Sequence, residues 1–174
     1  ISGYKNLIKL ISQIHIQKKP NENPGATIDL LKQYNDHILL LSGGRTGFLG
    51  NNLLTENPDK IINLTKLLSD IFHNRMYLQI DRIKAENEDI YNNKIIQISE
   101  KLNLPLVATN SVLFLDKHDF DAHEVRVCIN KKIKLDDRVN QKEFTEEQYF
   151  KSEKEMTEIF KDIPDAMQNL SQII

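Results

Sequence analysis

Three apolar runs alternating with amphipathic helical patterns constrain this chain more than any other feature. The runs are "HILLLSGG" (37–44), "RMYLQID" (75–81) and "LPLVATN" (104–110). Between them lie "ENPDKIINLTKLLSDIF" and "NEDIYNNKIIQISEKLN", whose apolar residues recur at helical spacing. The order strand, helix, strand, helix, strand predicts an α/β fold with a parallel sheet built from βαβ units. "HILLLSGG" is apolar on both faces, which predicts a strand covered on both sides. The stretch "VATNSVLFL" (107–115) reads as a buried strand that continues into the polar turn "DKHDFDAHE".

Helical signals frame this unit. "GYKNLIKLISQIH" places Leu7, Ile8, Leu10, Ile11 and Ile14 on an amphipathic helix, broken by "KKPNENPGA" before a short helix in "TIDLLKQY". Asn57 can cap the helix that Pro58 opens. From residue 116 onward the pattern is mainly helical. "TEEQ" from Thr145 and "SEKE" from Ser152 each have the spacing of a capping box, and "DDRVNQKEF" (136–144) is a polar connection. Ile1 is not an initiator residue and "MQNLSQII" stops inside a helical pattern, so the 174 residues are expected to be a piece of a longer protein.

Composition excludes some functions. The net charge of −2 gives no overall basic excess for holding nucleic acid, and Lys5, Lys9, Lys18 and Lys19 read as a solvated helix face. The single cysteine, Cys128, rules out a disulfide framework within the chain, suits a reducing compartment and reads as a core residue. No apolar run approaches the roughly 18 residues of a membrane span.

The candidate chemistry is incomplete at each place. "SGGRTGFLG" lacks the lysine and hydroxyl of a phosphate loop and the spacing of a dinucleotide fingerprint, leaving a tight strand-to-helix turn. "HEVRV" begins like a zinc-protease helix, but Val127 stands where the second imidazole belongs. His123 and Glu124 are therefore expected to pack or hydrogen-bond. His15, His37, His73 and His118 are scattered one to an element. The pairs Asp136–Asp137 and Glu146–Glu147 are adjacent residues that point apart, so neither forms an acid–base dyad by itself.

The string "LPLVATNSVLFLDKHDFDAHEVRVCI", with "LDDR" and "EEQYFKSEKEMTEIFKDIPDAMQN", resembles the PHP (polymerase and histidinol phosphatase) domain of bacterial replicative polymerases. "GYKNLIKLIS", "ILLLSGGRTGFLG" and "RMYLQIDR" fall in the same order as in that family. The resemblance implies part of a distorted (β/α)7 barrel with parallel strands, its elements occupying about 1–130, followed by a helical tail over about 131–174 in one domain. It also implies loss of the family's metal centre. Ser111 and Leu113 stand where metal-binding members carry Asp and His, Gly44 where they often carry Cys, and Ile83 where they carry His. His118 and His123 are then structural. No catalytic, cofactor-binding or metal-ligating residue is expected in the chain. The implied role is a non-catalytic scaffold and docking site for the proofreading exonuclease subunit, beside other holoenzyme subunits in the cytoplasm. The parent would be a DNA-directed DNA polymerase using Mg2+ and contacting DNA through other parts, with no membrane involved. The alternatives are an active metal-dependent phosphoesterase or exonuclease of the same family and a damage-tolerant polymerase paralogue.

Overall fold

The computed structural model describes residues 1–53, 58–135 and 143–173. Helices α1 (Ser2–Gln17) and α2 (Ile28–Tyr34) precede strand β1 (Leu40–Leu41). Helices α3 (Phe48–Leu53) and α4 (Pro58–Ile71) lead to β2 (Met76–Asp81), and α5 (Glu88–Leu102) leads to β3 (Leu106–Thr109). A short 3-10 turn (Lys117–Asp119), α6 (Phe120–Lys131), α7 (Glu153–Ile159), α8 (Pro164–Gln168) and α9 (Leu170–Ile173) follow. The strands form a parallel sheet in the order β1-β2-β3, with Leu40 opposite Met76 and Leu78 opposite Leu106. The α/β reading and the parallel pairing therefore stand.

The central strand holds the core. β2 has a neighbour on each edge and helices on its faces, so all but one of its residues are buried. Leu78 and Ile80 pack with Leu49, Ile61, Tyr91 and Ile95 from the surrounding helices and with Phe72 just after α4. Phe160 and Ala166 of the C-terminal segment join the same cluster. That segment is tied to the sheet by polar contacts as well. The Arg82 guanidinium donates to both carboxylate oxygens of Asp162 at 2.5 and 2.6 Å and lies over the Phe160 ring, while the Asn169 amide donates to the Leu106 carbonyl.

Three sequence expectations need correction. β1 is two residues long and lies at the sheet edge, so Leu41 is partly exposed instead of covered. Its ladder stops because the Gln79 N–H donates to the Ser42 hydroxyl and Gly43 turns the chain at φ +82°. β3 ends at Thr109 and does not run to residue 115. Ser111 adopts φ +42°, and Val112, Leu113 and Leu115 are exposed. "TEEQ" makes a turn instead of a helix start. The Gln148 side chain accepts from the Thr145 N–H, but the Thr145 hydroxyl accepts from Glu147 and donates to the Ile83 carbonyl. Ser152, by contrast, forms the expected reciprocal box with Glu155. Asn57, and most of the connection 136–144, lie outside the described residues.

Burial predicts a graded response along the sheet. Leu78→Ala, at a fully buried central position, should lose about 2–5 kcal/mol, whereas Leu41→Ala at the exposed edge should lose far less. Denaturant unfolding of the two variants checks this; equal losses would contradict the assignment of β2 as the core strand.

Candidate functional site

The C-terminal ends of parallel strands gather the chain's polar turns, and here they surround a cleft of about 490 Å³. Arg45 and Thr46 come from the turn after β1, Asp81 and Ile83 from the end of β2, and Ser111 to Leu113 from the turn after β3. Glu88 enters from the first turn of α5, and Gln148 closes one side.

Two buried carboxylates dominate the cleft. Asp81 accepts from the Thr109 hydroxyl at 2.6 Å and from the Ser111 hydroxyl at 3.2 Å. Its backbone carbonyl accepts from the Asn92 amide at 2.8 Å. Gly44 sits against it at φ +63°, where an added Cβ would lie 2.5 Å from Asp81 Oδ2. Glu88 accepts from three successive backbone N–H groups, those of Ile83, Lys84 and Ala85, at 2.7, 3.2 and 3.3 Å. Burial pushes its carboxyl above the ordinary carboxylate range; the three N–H groups pull the other way, and the charge of Asp81 adds to the rise. Behind it the Tyr91 phenol donates to the Gln79 carbonyl, and burial raises it to about 12.

The four positions singled out from the sequence converge on this one place. Ile83, Ser111 and Leu113 line the cleft and Gly44 touches Asp81. At two of these four positions the cleft offers no ligand for a divalent cation. Leu113 and Ile83 offer only carbon, and Ser111 offers a hydroxyl already donated to Asp81. Both carboxylates are engaged as acceptors within the fold. Among the described residues, no three His, Cys, Asp or Glu side chains cluster in a way that could hold a metal ion. Asp81 and Glu88 were not identified from the sequence. Their available signal was position: an acid ending the second apolar run and another opening the next helix.

A second cluster sits beside the cleft around Glu147. Lys84, Lys117 and Lys151 reach its carboxylate at 2.9, 3.1 and 3.4 Å. Burial opposes ionisation of Glu147, but the lysines outweigh it and draw the carboxyl down to about 2. The Lys151 side chain is almost wholly buried; it also donates to Asn110 Oδ1 at 3.1 Å and lies 4.2 Å from the Tyr149 ring centre. Burial lowers its pKa, with Glu147 acting in the opposite direction. Glu146, more exposed, lies 4.0 Å from the same Lys117 ammonium that reaches Glu147, so the two adjacent acids share a lysine instead of pointing apart.

The remaining candidates are dispersed. His123 is buried between the rings of Phe114 and Phe144, with Nδ1 3.1 Å from Arg126. Cys128 is a buried thiol on the same helix. His15 lies in the last turn of α1, while His37 and His118 are exposed beside Asp36 and Asp119. Asp136 and Asp137 lie outside the described residues.

Comparison with known proteins gives a consistent set of likenesses. The PHP domain profile matches residues 1–83. The DNA polymerase III subunit alpha of Haemophilus influenzae is 39% identical over 167 residues, covering 96% of this chain. That of Escherichia coli K12 is 37% identical over 172 residues, covering 99% of this chain, and that of Vibrio cholerae is 34% identical over 171 residues, covering 98%. The chain spans only 14–15% of the length of these relatives.

Two outcomes follow from the geometry. Gly44→Ala should destabilise the fold by about 1–2 kcal/mol from the left-handed backbone alone, with the Asp81 clash added; an unchanged melting temperature would refute that packing. Glu147 ionises far below its ordinary pH, so its stabilising effect is present above about pH 4.5 and fades as pH falls toward 2. Glu147→Gln should cost about 1–3 kcal/mol at neutral pH and flatten the stability profile over that acidic window, read by denaturant midpoints.

Proposed function

The chain carries a PHP-domain match and is similar over nearly its whole length to bacterial DNA polymerase III alpha subunits, and we propose that it is a non-catalytic PHP portion of such a subunit. In this reading the three-stranded sheet is part of a distorted (β/α)7 barrel. Barrel elements occupy about residues 1–130, and the helices of about 131–174 complete one domain. The parent is a DNA-directed DNA polymerase of replication, cytoplasmic, drawing on Mg2+ held by carboxylates elsewhere in its length. This portion serves as scaffold and docking site for the proofreading exonuclease subunit, alongside other holoenzyme subunits, and DNA is a partner via the parent protein.

The observation that carries the non-catalytic reading is the convergence of Gly44, Ile83, Ser111 and Leu113 on one cleft whose buried carboxylates, Asp81 and Glu88, accept hydrogen bonds from within the fold. A third carboxylate at its lining, Glu143, pairs with Lys131. Hydrolysis of a phosphate ester by this family's route requires a cation to polarise the ester and ionise a water. A cleft that offers carbon at two of the four positions, with its buried carboxylates hydrogen-bonded within the fold, lacks the ligand set that route uses. What remains is cross-linking. The same side chains join the ends of β2 and β3 and fix the turn before α5.

Two measurements test the proposal. The purified chain should hydrolyse no chromogenic phosphate ester when supplied with Mn2+ or Zn2+; turnover abolished by Asp81→Asn would restore the phosphoesterase alternative. The parent lacking these 174 residues should no longer co-elute with its exonuclease subunit on size exclusion; undiminished co-elution would remove the docking role.

A further inference from the structure

Residues 144–151 cross the C-terminal ends of β2 and β3 and hold on by polar links. The Thr145 hydroxyl donates to the Ile83 carbonyl. Gln148 donates to the Ser111 carbonyl at 3.2 Å, and its own carbonyl accepts from the Leu113 N–H at 2.8 Å. The Asn110 side chain donates to the Tyr149 carbonyl at 2.5 Å and accepts from Lys151. The Phe150 N–H reaches the Phe114 carbonyl at 3.0 Å, beside an isolated parallel bridge between Phe114 and Tyr149. Glu147 lies at the middle of these links and joins Lys84 on one turn to Lys117 on the other.

Apolar anchoring is scarce along this stretch. Among the described residues, the core cluster around Leu78 and Ile80 takes no member from 144–151. Phe144 meets the His123 ring of α6 edge-on at 5.0 Å, and the Phe150 side chain is 69% exposed. The helices that follow put Phe160 and Ala166 into the core, and Arg82 pins them through Asp162. A polar link gives up little when water replaces the partner, whereas a core side chain loses its burial outright. The buried Lys151 ammonium lowers the cost of release further, because lifting the stretch returns that charge to water. The balance of forces therefore differs on the two sides of Ser152.

We propose that residues 144–151 form a releasable strap, fastened by Glu147, that lifts as one unit while the sheet and α7–α9 stay folded. Phe144 and Gln148 line the cleft, so lifting the strap removes one wall and frees the Ser111 turn. Asp81 and Glu88 are then open to bulk water from that side. The strap is a local unfolding unit drawn from the weakly held end of the molecule, and it gates the cleft. It rests on contacts within the 174 residues and not on the activity of the parent.

Hydrogen exchange on the full-length parent, read residue by residue by mass spectrometry, tests this. Leu113 and Phe150 carry amides that join the strap to its turn from opposite sides. They should share one protection factor, roughly tenfold or more below that of Leu78 in β2. Glu147→Gln should speed both by the same factor, roughly tenfold, and leave Leu78 and Phe160 unchanged. Lys84→Gln cuts the fastening at an exposed end and should speed the same pair by a smaller, equal factor; it decides the matter if Glu147→Gln fails to fold. Asp162→Asn, which loosens Arg82, should speed Phe160 and leave Leu113 and Phe150 as they were. The strap is overturned if Leu113 and Phe150 exchange as slowly as Leu78, or if the fastening variants leave them unchanged or shift them unequally. It is overturned as well if Asp162→Asn speeds them as it speeds Phe160, since the whole C-terminal segment would then move together.

Discussion

A carboxylate buried at the end of the central strand, Asp81, sets the terms for everything around it. A charge removed from water must find polar partners, and its partners here are hydroxyls from the neighbouring strand end, Thr109 and Ser111. To deliver its hydroxyl, Ser111 takes a left-handed conformation, which ends β3 and sends the chain outward. To leave room, the turn after β1 has a glycine at position 44. The shape of the cleft is thus the shape of the hydrogen-bonding shell that one buried acid requires. Glu88 repeats the principle at the start of α5, clasped by three backbone N–H groups of the loop that joins β2 to that helix.

The segment after α6 is held to this centre by charge as much as by packing. Lys151 is buried because Glu147, Asn110 and the Tyr149 ring surround its ammonium. Lys84 extends from the turn that Glu88 clasps, so the Glu147 cluster is continuous with the cleft. Arg82, next to Asp81, reaches the other way to Asp162 and the Ile159 carbonyl. Adjacent residues at one strand end therefore serve opposite jobs: Asp81 knits the sheet, and Arg82 anchors the helices that close the core.

Periodicity carried most of the fold into view. α2, α4, α5 and the positions of all three strands follow from apolar spacing, because each buries a face whose period the backbone imposes. α1 follows from the same spacing although only Leu10 of it is buried. The errors share a cause. "HILLLSGG" and "VATNSVLFL" both look like long strands by composition, but each is cut short by a serine hydroxyl with a partner on β2: Ser42 accepts from the Gln79 N–H, and Ser111 turns left-handed and donates to Asp81. "TEEQ" has capping-box spacing, yet its hydroxyl is claimed by the Ile83 carbonyl across the fold. Such tertiary competition leaves no periodic trace. The site was half legible. Gly44, Ile83, Ser111 and Leu113 were flagged by resemblance, whereas Asp81 and Glu88, lone acids in ordinary strand and helix contexts, gave no local sign of burial.

The central claim is that these carboxylates act as structural ties and not as ligands of a cation. Thermal unfolding during a titration with Mn2+ and Zn2+ tests it most directly, since an ion bound to the folded state alone raises the melting temperature by mass action. The account predicts a melting temperature that does not respond to either metal, and a marked drop for Asp81→Ala whether metal is present or not. A saturable rise in the unsubstituted chain that disappears in Asp81→Ala would contradict it.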